Sequence, residues 1–266
     1  MRSLSVSRDG AEIHSQVDGV DDPAAPTVVF ANSLGTDLTL WDSVLPHLPP
    51  GLRLIRHDMR GHGRSSVPPG PYSMGALVSD AEAVCDAWEV KDCVFVGLSV
   101  GGLIAQGLAV KRMDLVRGLV LSNTAAKIGT KDRWQERIDA VRAGGMEAVA
   151  EGVLERWFGP AFLASSEVAP WRALLLATPP EGYAGVCAAI AGTDFFSTTS
   201  GLRLPTLGIS GTEDKSTPPD MVRETTELVP GSRFELIRRA GHLPCVEQPE
   251  TYAALLTGFM KEIGHV

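Results

Sequence analysis

Short apolar runs, each closed by a polar or glycine-containing loop, set the rhythm of the chain: Thr27-Val28-Val29-Phe30-Ala31, Leu52 to His57, Val94-Phe95-Val96, and later Val116 to Leu121, Leu204 to Ser210 and Ser232 to Ile237. Runs of this length, rich in β-branched and aromatic residues, predict strands buried on both faces of a parallel sheet. Leu4 to Ser7 and Ala11 to Val17 alternate instead, around Arg8-Asp9-Gly10, and predict a half-buried hairpin at an antiparallel edge. Between the runs the period lengthens to that of helices. Ser73 caps a helix to Trp88 whose apolar face is Leu77, Val78, Ala81, Val84 and Trp88; Leu40 to His47 predicts a shorter helix. Leu103 to Val110 is apolar on nearly all sides, as a buried helix is, and Glu247 to Glu262 closes the chain as an amphipathic one.

From about Ala125 to Ser200 the alternation stops. Lys131 to Arg142, Met146 to Phe158, Trp171 to Thr178 and Tyr183 to Ala191 read as short helices broken by Gly-Gly and Pro-Pro pairs. The expected organisation is an α/β core, residues 1–124 and 200–266, with a helical cap, residues 125–199, inserted into it. A cap over the carboxyl ends of parallel strands excludes water from a site there and sets its specificity.

Composition narrows the function. The 266 residues are 44% hydrophobic and 21% charged, ordinary for a soluble globular protein, and the net charge of −8 argues against nucleic acid as a partner. The same charge requires a local cation if the ligand is an anion. The cap supplies Arg133, Arg137, Arg142, Arg156 and Arg172. Arg133 beside Trp134 is the pair expected to face a pocket, most of the cap arginines lying on solvated helix faces. Cys85, Cys93, Cys187 and Cys245 are scattered without metal-ligand spacing, which predicts reduced core thiols and no metal site. Cys93 to Val110 carries no charge and is long enough to span a membrane, yet its four glycines and strand-like start assign it to strand, turn and helix. Met1 to Ser5 lacks the apolar run of a signal peptide, so a cytoplasmic protein with no membrane partner is expected, and a homo-oligomer is left open.

The chemistry centres on Gly97-Leu98-Ser99-Val100-Gly101-Gly102, where a strand turns sharply into a helix. Ser99 at such a corner projects its hydroxyl, and the helix N-terminus presents free N–H groups to an oxygen that turns negative. The candidate oxyanion donors are the Val100 N–H and, on the loop after the Thr27 strand, the Leu34 N–H. Asp214, with Glu213 as its rival, lies just beyond the Leu204 strand, and His242 just beyond the Ser232 strand. His62, between two glycines of a turn, is expected to hold its loop rather than transfer protons. Asn123, after the Val116 strand, is neutral, so the acid is sought later in the chain.

The order Ser, Asp, His, each after its own strand, together with Asp58-Met59-Arg60-Gly61-His62-Gly63-Arg64-Ser65, resembles the α/β-hydrolases. The fold this implies is a mostly parallel central sheet flanked by helices, with an inserted helical cap. Within that superfamily Phe30 to Thr36 with Trp41-Asp42, Leu121 to Gly129, Trp134 to Gly145 and Gly241-His242-Leu243-Pro244 resemble the 3-oxoadipate enol-lactonases. Asn32-Ser33 stands where many α/β-hydrolases have His-Gly and agrees with the lactonase group. The resemblance implies a cofactor-free Ser99-His242-Asp214 triad in aromatic compound degradation, opening a small anionic lactone whose carboxylate Arg133 would pair while Trp134 walls the pocket. A broad carboxylesterase or other lactonase, a cofactor-free haloperoxidase and a slow-turnover ligand receptor remain open on the same triad.

Overall fold

The computed structural model describes residues 2–266. Eight strands, β1 (Arg2–Arg8), β2 (Ala11–Gly19), β3 (Thr27–Ala31), β4 (Arg53–His57), β5 (Cys93–Leu98), β6 (Val116–Ser122), β7 (Thr206–Gly211) and β8 (Arg233–Ile237), form one sheet in the order β1-β2-β4-β3-β5-β6-β7-β8. The β1–β2 and β2–β4 pairs are antiparallel and all others parallel, the edge hairpin included as the alternation predicts. β3, β4, β5 and β7 are buried at every position; apolar residues dominate β3 and β5, whereas β4 buries Arg56 by pairing it with Asp18 and Asp42.

Eleven α-helices are described: α1 (Met74–Ala87), α2 (Val100–Lys111), α3 (Lys131–Gly144), α4 (Glu147–Trp157), α5 (Pro160–Leu163), α6 (Val168–Ala177), α7 (Pro180–Ala191), α8 (Phe196–Ser200), α9 (Pro219–Glu227), α10 (Pro244–Glu247) and α11 (Pro249–Glu262). Ser73 caps α1, its hydroxyl accepting the Ala76 N–H. Six helices in succession, α3 to α8, separate β6 from β7. The segment predicted as one helix from Leu40 to His47 is two single 3₁₀ turns, Leu38–Trp41 and Leu45–His47. Pro46 has no N–H to donate within it, and Asp37 ends the chain's approach by accepting the Thr39 N–H. The last helix begins at Pro249 rather than Glu247, since Pro249 fits a first helical position and Glu247 belongs to the short turn before it. Among the described residues no single helix is long and apolar enough to cross a membrane; α6 and α7 reach that length only together, across a 92° bend.

Parallel register brings the strand ends to one edge. Ala31 lies opposite Gly97, Leu98 opposite Ser122, Ser122 opposite Ile209 and Gly211 opposite Ile237. The loops bearing Leu34, Ser99, Asn123, Asp214 and His242 therefore leave the sheet side by side, where open α/β sheets bind ligands.

Candidate active site

Ser99 has φ 59° and ψ −118°, a left-handed conformation that costs a residue with a Cβ on the order of 1–3 kcal/mol. The corner is held from three sides: the Ser99 N–H donates to the Ser122 carbonyl (3.0 Å), the Thr124 hydroxyl donates to the Ser99 carbonyl (2.6 Å), and the Gly101 N–H donates to the Asn32 carbonyl (3.1 Å). Both flanking glycines are sterically required. A Cβ on Gly97 would stand 2.2 Å from the Gly101 carbonyl oxygen, and one on Gly101 2.2 Å from that of Ala31. The pressure that excludes side chains at these two positions is thus the close crossing of β3, β5 and α2.

His242 and Asp214 meet as the spacing predicts. His242 Nδ1 is 2.8 Å from Asp214 Oδ2, and both side chains are buried. Glu213 does not compete: its main-chain N–H donates to the Ala240 carbonyl (2.9 Å) and its carboxylate lies beside Gly159. Burial alone would raise the Asp214 carboxyl, but the charge of His242 and hydrogen bonds from His242, the Asn123 amide and the Thr217 N–H hold it below the ordinary range. Its Oδ1 also accepts the Ser216 and Thr217 N–H groups at 2.7 and 3.0 Å. Asp214 therefore stays ionised and orients the imidazole. With the Nδ1 proton given to Asp214, Nε2 of His242 is left free to accept one.

Ser99, Ser33, Leu34 and His242 line a cavity of about 640 Å³ together with residues of α3, α4 and α7. Leu34 and Val100 N–H groups take part in no main-chain hydrogen bond among the described residues. The Leu34 loop is pinned on either side. His62 Nε2 accepts the Gly35 N–H (3.0 Å), and the Asn32 amide bridges the His57 carbonyl (2.8 Å) and the Trp41 indole N–H (2.8 Å). His62 is a loop-holding group, as the turn around it predicts. Complete burial lowers its pKa to about 4, so it is neutral and able to accept.

Arg133 and Trp134 both line the cavity, Arg133 being largely exposed at its rim. The Trp134 indole N–H donates to the Ile128 carbonyl (2.6 Å), which leaves its ring as an apolar wall. Arg137 and Arg156, cap arginines that the sequence did not single out, line the cavity as well, and Lys215 joins them; Glu136 is the one acidic side chain among the lining residues. Arg137 lies one helical turn from Arg133 on the same face, a spacing that could have revealed it. Its guanidinium stacks 5.0 Å from the Trp134 ring centroid. Arg156 carries the mark of crowding: burial and then the charge of Arg137, with a smaller push from Arg133, lower its pKa. Arg142 and Arg172 do point outward, pairing with Glu181 and Glu151.

A strained serine on a strand-to-helix corner, a buried His–Asp pair and two uncommitted N–H groups around one cavity invite comparison with known hydrolases. Residues 14–255 match the alpha/beta hydrolase family. The chain belongs to that family. Among curated relatives, 3-oxoadipate enol-lactonase 2 of Acinetobacter baylyi is 34% identical over 89% of this chain and 89% of its own length. 3-oxoadipate enol-lactonase 1 of the same organism is 32% identical over 98% and 97%. The crystal structure of the enol-lactonase from Burkholderia xenovorans LB400 superposes with a TM-score of 0.93 at 35% identity, covering 98% of this alpha/beta hydrolase and all of that chain. The resemblance read from the Asn32-Ser33 and Leu121 to Gly129 segments is thereby borne out.

Proposed function

We propose that this alpha/beta hydrolase opens 3-oxoadipate enol-lactone to 3-oxoadipate through an acyl-enzyme on Ser99, as a step of aromatic compound degradation by the β-ketoadipate pathway. The observation that carries the reading is the cavity itself, which Ser99 and His242 line together with Arg133, Arg137 and Arg156. The names borne by the Acinetobacter and Burkholderia relatives support the substrate.

The chemistry follows from the groups present. Ser99 Oγ attacks the lactone carbonyl while His242 Nε2 takes its proton, and Asp214 stabilises the imidazolium that results. The carbonyl oxygen, now negative, is held by the Leu34 and Val100 N–H groups, each donor of this kind being worth about 3 kcal/mol of transition-state stabilisation. Collapse breaks the ring C–O bond. The leaving enolate is a better leaving group than an alkoxide, takes the proton from His242 and relaxes to the ketone. Water then gives its proton to His242 and attacks the acyl carbon, and the proton returns to Ser99 as 3-oxoadipate departs. The substrate carboxylate pairs with the arginine wall, Arg133 at its rim, and Trp134 packs against the ring.

The test is the loss of enol-lactone absorbance catalysed by wild type and Ser99→Ala. Multiple turnovers by the wild type and none above background by a folded Ser99→Ala are expected. Equal rates from the two proteins would refute the reading.

A further inference from the structure

Glu247 stands outside the triad, yet its carboxylate joins two distant parts of the chain. Oε1 accepts the Gly241 N–H at 2.6 Å and Oε2 accepts the Gly159 N–H at 3.0 Å. Gly241 immediately precedes His242. Gly159 follows α4, whose Val153, Arg156 and Trp157 help to wall the cavity. The junction is too tight for a side chain on Gly241, whose Cβ would lie 2.8 Å from the Trp157 carbonyl oxygen, and one on Gly159 would have to displace the Glu213 carboxylate, 2.4 Å away. A parallel tie, the Leu243 N–H on the Trp157 carbonyl at 3.0 Å, joins the same two segments.

We propose that Glu247 is a positioning residue for His242, its carboxylate clamping the loop that carries the imidazole to the end of α4. The inference rests on His242 being the base of the proposed reaction. Two carboxylate oxygens serve two N–H donors best in the ionised state, because protonation turns one oxygen into a hydroxyl donor and a much weaker acceptor. The charged side chains that act on Glu247 are Glu213 and Asp214, from the loop after β7; the His242 loop and the turn after α4 meet it with main-chain N–H groups. Burial, with the repulsion of those two acids, raises its pKa to about 7 against the two N–H bonds that lower it. The clamp is therefore closed above neutrality and loosens as pH falls.

The experiment is the pH profile of kcat/KM on p-nitrophenyl acetate, a neutral ester that makes the result independent of the enol-lactone reading, for wild type and Glu247→Gln. Wild-type activity is expected to fall on the acid side more steeply than one ionisation allows, losing an extra factor of about ten as Glu247 protonates before it merges with the variant, which falls with a slope of about one from a plateau about tenfold lower. A variant with the wild-type slope and plateau overturns the assignment. Hydrogen exchange of the wild-type Gly241 and Gly159 amides, corrected for intrinsic rate, supplies an arm that needs no variant. Their protection is expected to fall together between about pH 8 and about pH 6, and pH-independent protection overturns the clamp. A wild type that behaves as expected on the ester but leaves the enol-lactone intact refutes the proposed substrate and leaves the clamp standing.

Discussion

The Asn123 amide nitrogen lies 2.8 Å from Asp214 Oδ2, the same oxygen that faces His242 Nδ1 at 2.8 Å. Asn123 is thus a supporting donor to the acid. It also reaches the Gly241 carbonyl (3.3 Å) and sits at φ 46°, a left-handed conformation that asparagine tolerates better than most residues. Replacing it tests the electrostatics. Asn123→Ala removes one donor from the carboxylate and is expected to cost about tenfold in kcat/KM, whereas Asn123→Asp sets a second carboxylate against Asp214 and costs more. Steady-state kinetics of the two variants give the order, and an Asn123→Asp as active as wild type would contradict it.

Ser99 holds strain for its position. Ser99→Gly relieves the left-handed φ and is expected to raise the unfolding free energy by about 1 kcal/mol while abolishing turnover. Denaturant titration of the variant beside wild type measures the gain.

The arginine wall predicts a charge-selective effect. Arg133→Ala is expected to raise KM for the anionic lactone about tenfold and to leave KM for p-nitrophenyl acetate within twofold, the lactone's KM rising further with salt in wild type than in the variant. Kinetics on both substrates at low and high ionic strength decide it. Equal effects on the two would remove Arg133 from carboxylate recognition.

His62 gives a pH dependence whose sign is set by burial. Its folded pKa of about 4 lies below the ordinary 6.5, so the unfolded chain binds more protons between those values and the folded state loses stability as pH falls from 6.5 toward 4. Glu247 and Asp58, raised by burial to about 7 and about 6, act in the opposite sense, so the difference from a variant isolates the His62 contribution. Thermal unfolding of His62→Gln, whose amide oxygen can accept the Gly35 N–H, is expected to match or trail wild type at pH 7 and to gain on it by pH 4.5.

Much of this was legible in the chain because each signal was local. The β-branched runs gave the sheet, and Gly97, Ser99 and Gly101 the elbow, since these patterns follow from burial and backbone sterics within a few residues. Asp214 and His242 were legible for the same reason, each following its own strand. Arg137, one helical turn from Arg133, was within reach of the helical spacing, but Arg156, Asn123 and Glu247 were not, because their roles arise from contacts across larger separations: Asn123 reaches Asp214 across 91 positions and Glu247 reaches Gly159 across 88. The short turns at Leu38–Trp41 and Pro244–Glu247 escaped because helical periodicity needs more residues than one turn supplies.

The central claim is a covalent acyl intermediate on Ser99, and the measurement that addresses it is rapid acid quench of the wild type mixed with excess enol-lactone, followed by peptide mass analysis. During turnover the wild type is predicted to carry the mass of one 3-oxoadipyl group on the peptide containing Ser99, absent from Ser99→Ala treated alike. Wild-type turnover of the lactone with no adduct on that peptide, under quench times short against turnover, would contradict the account.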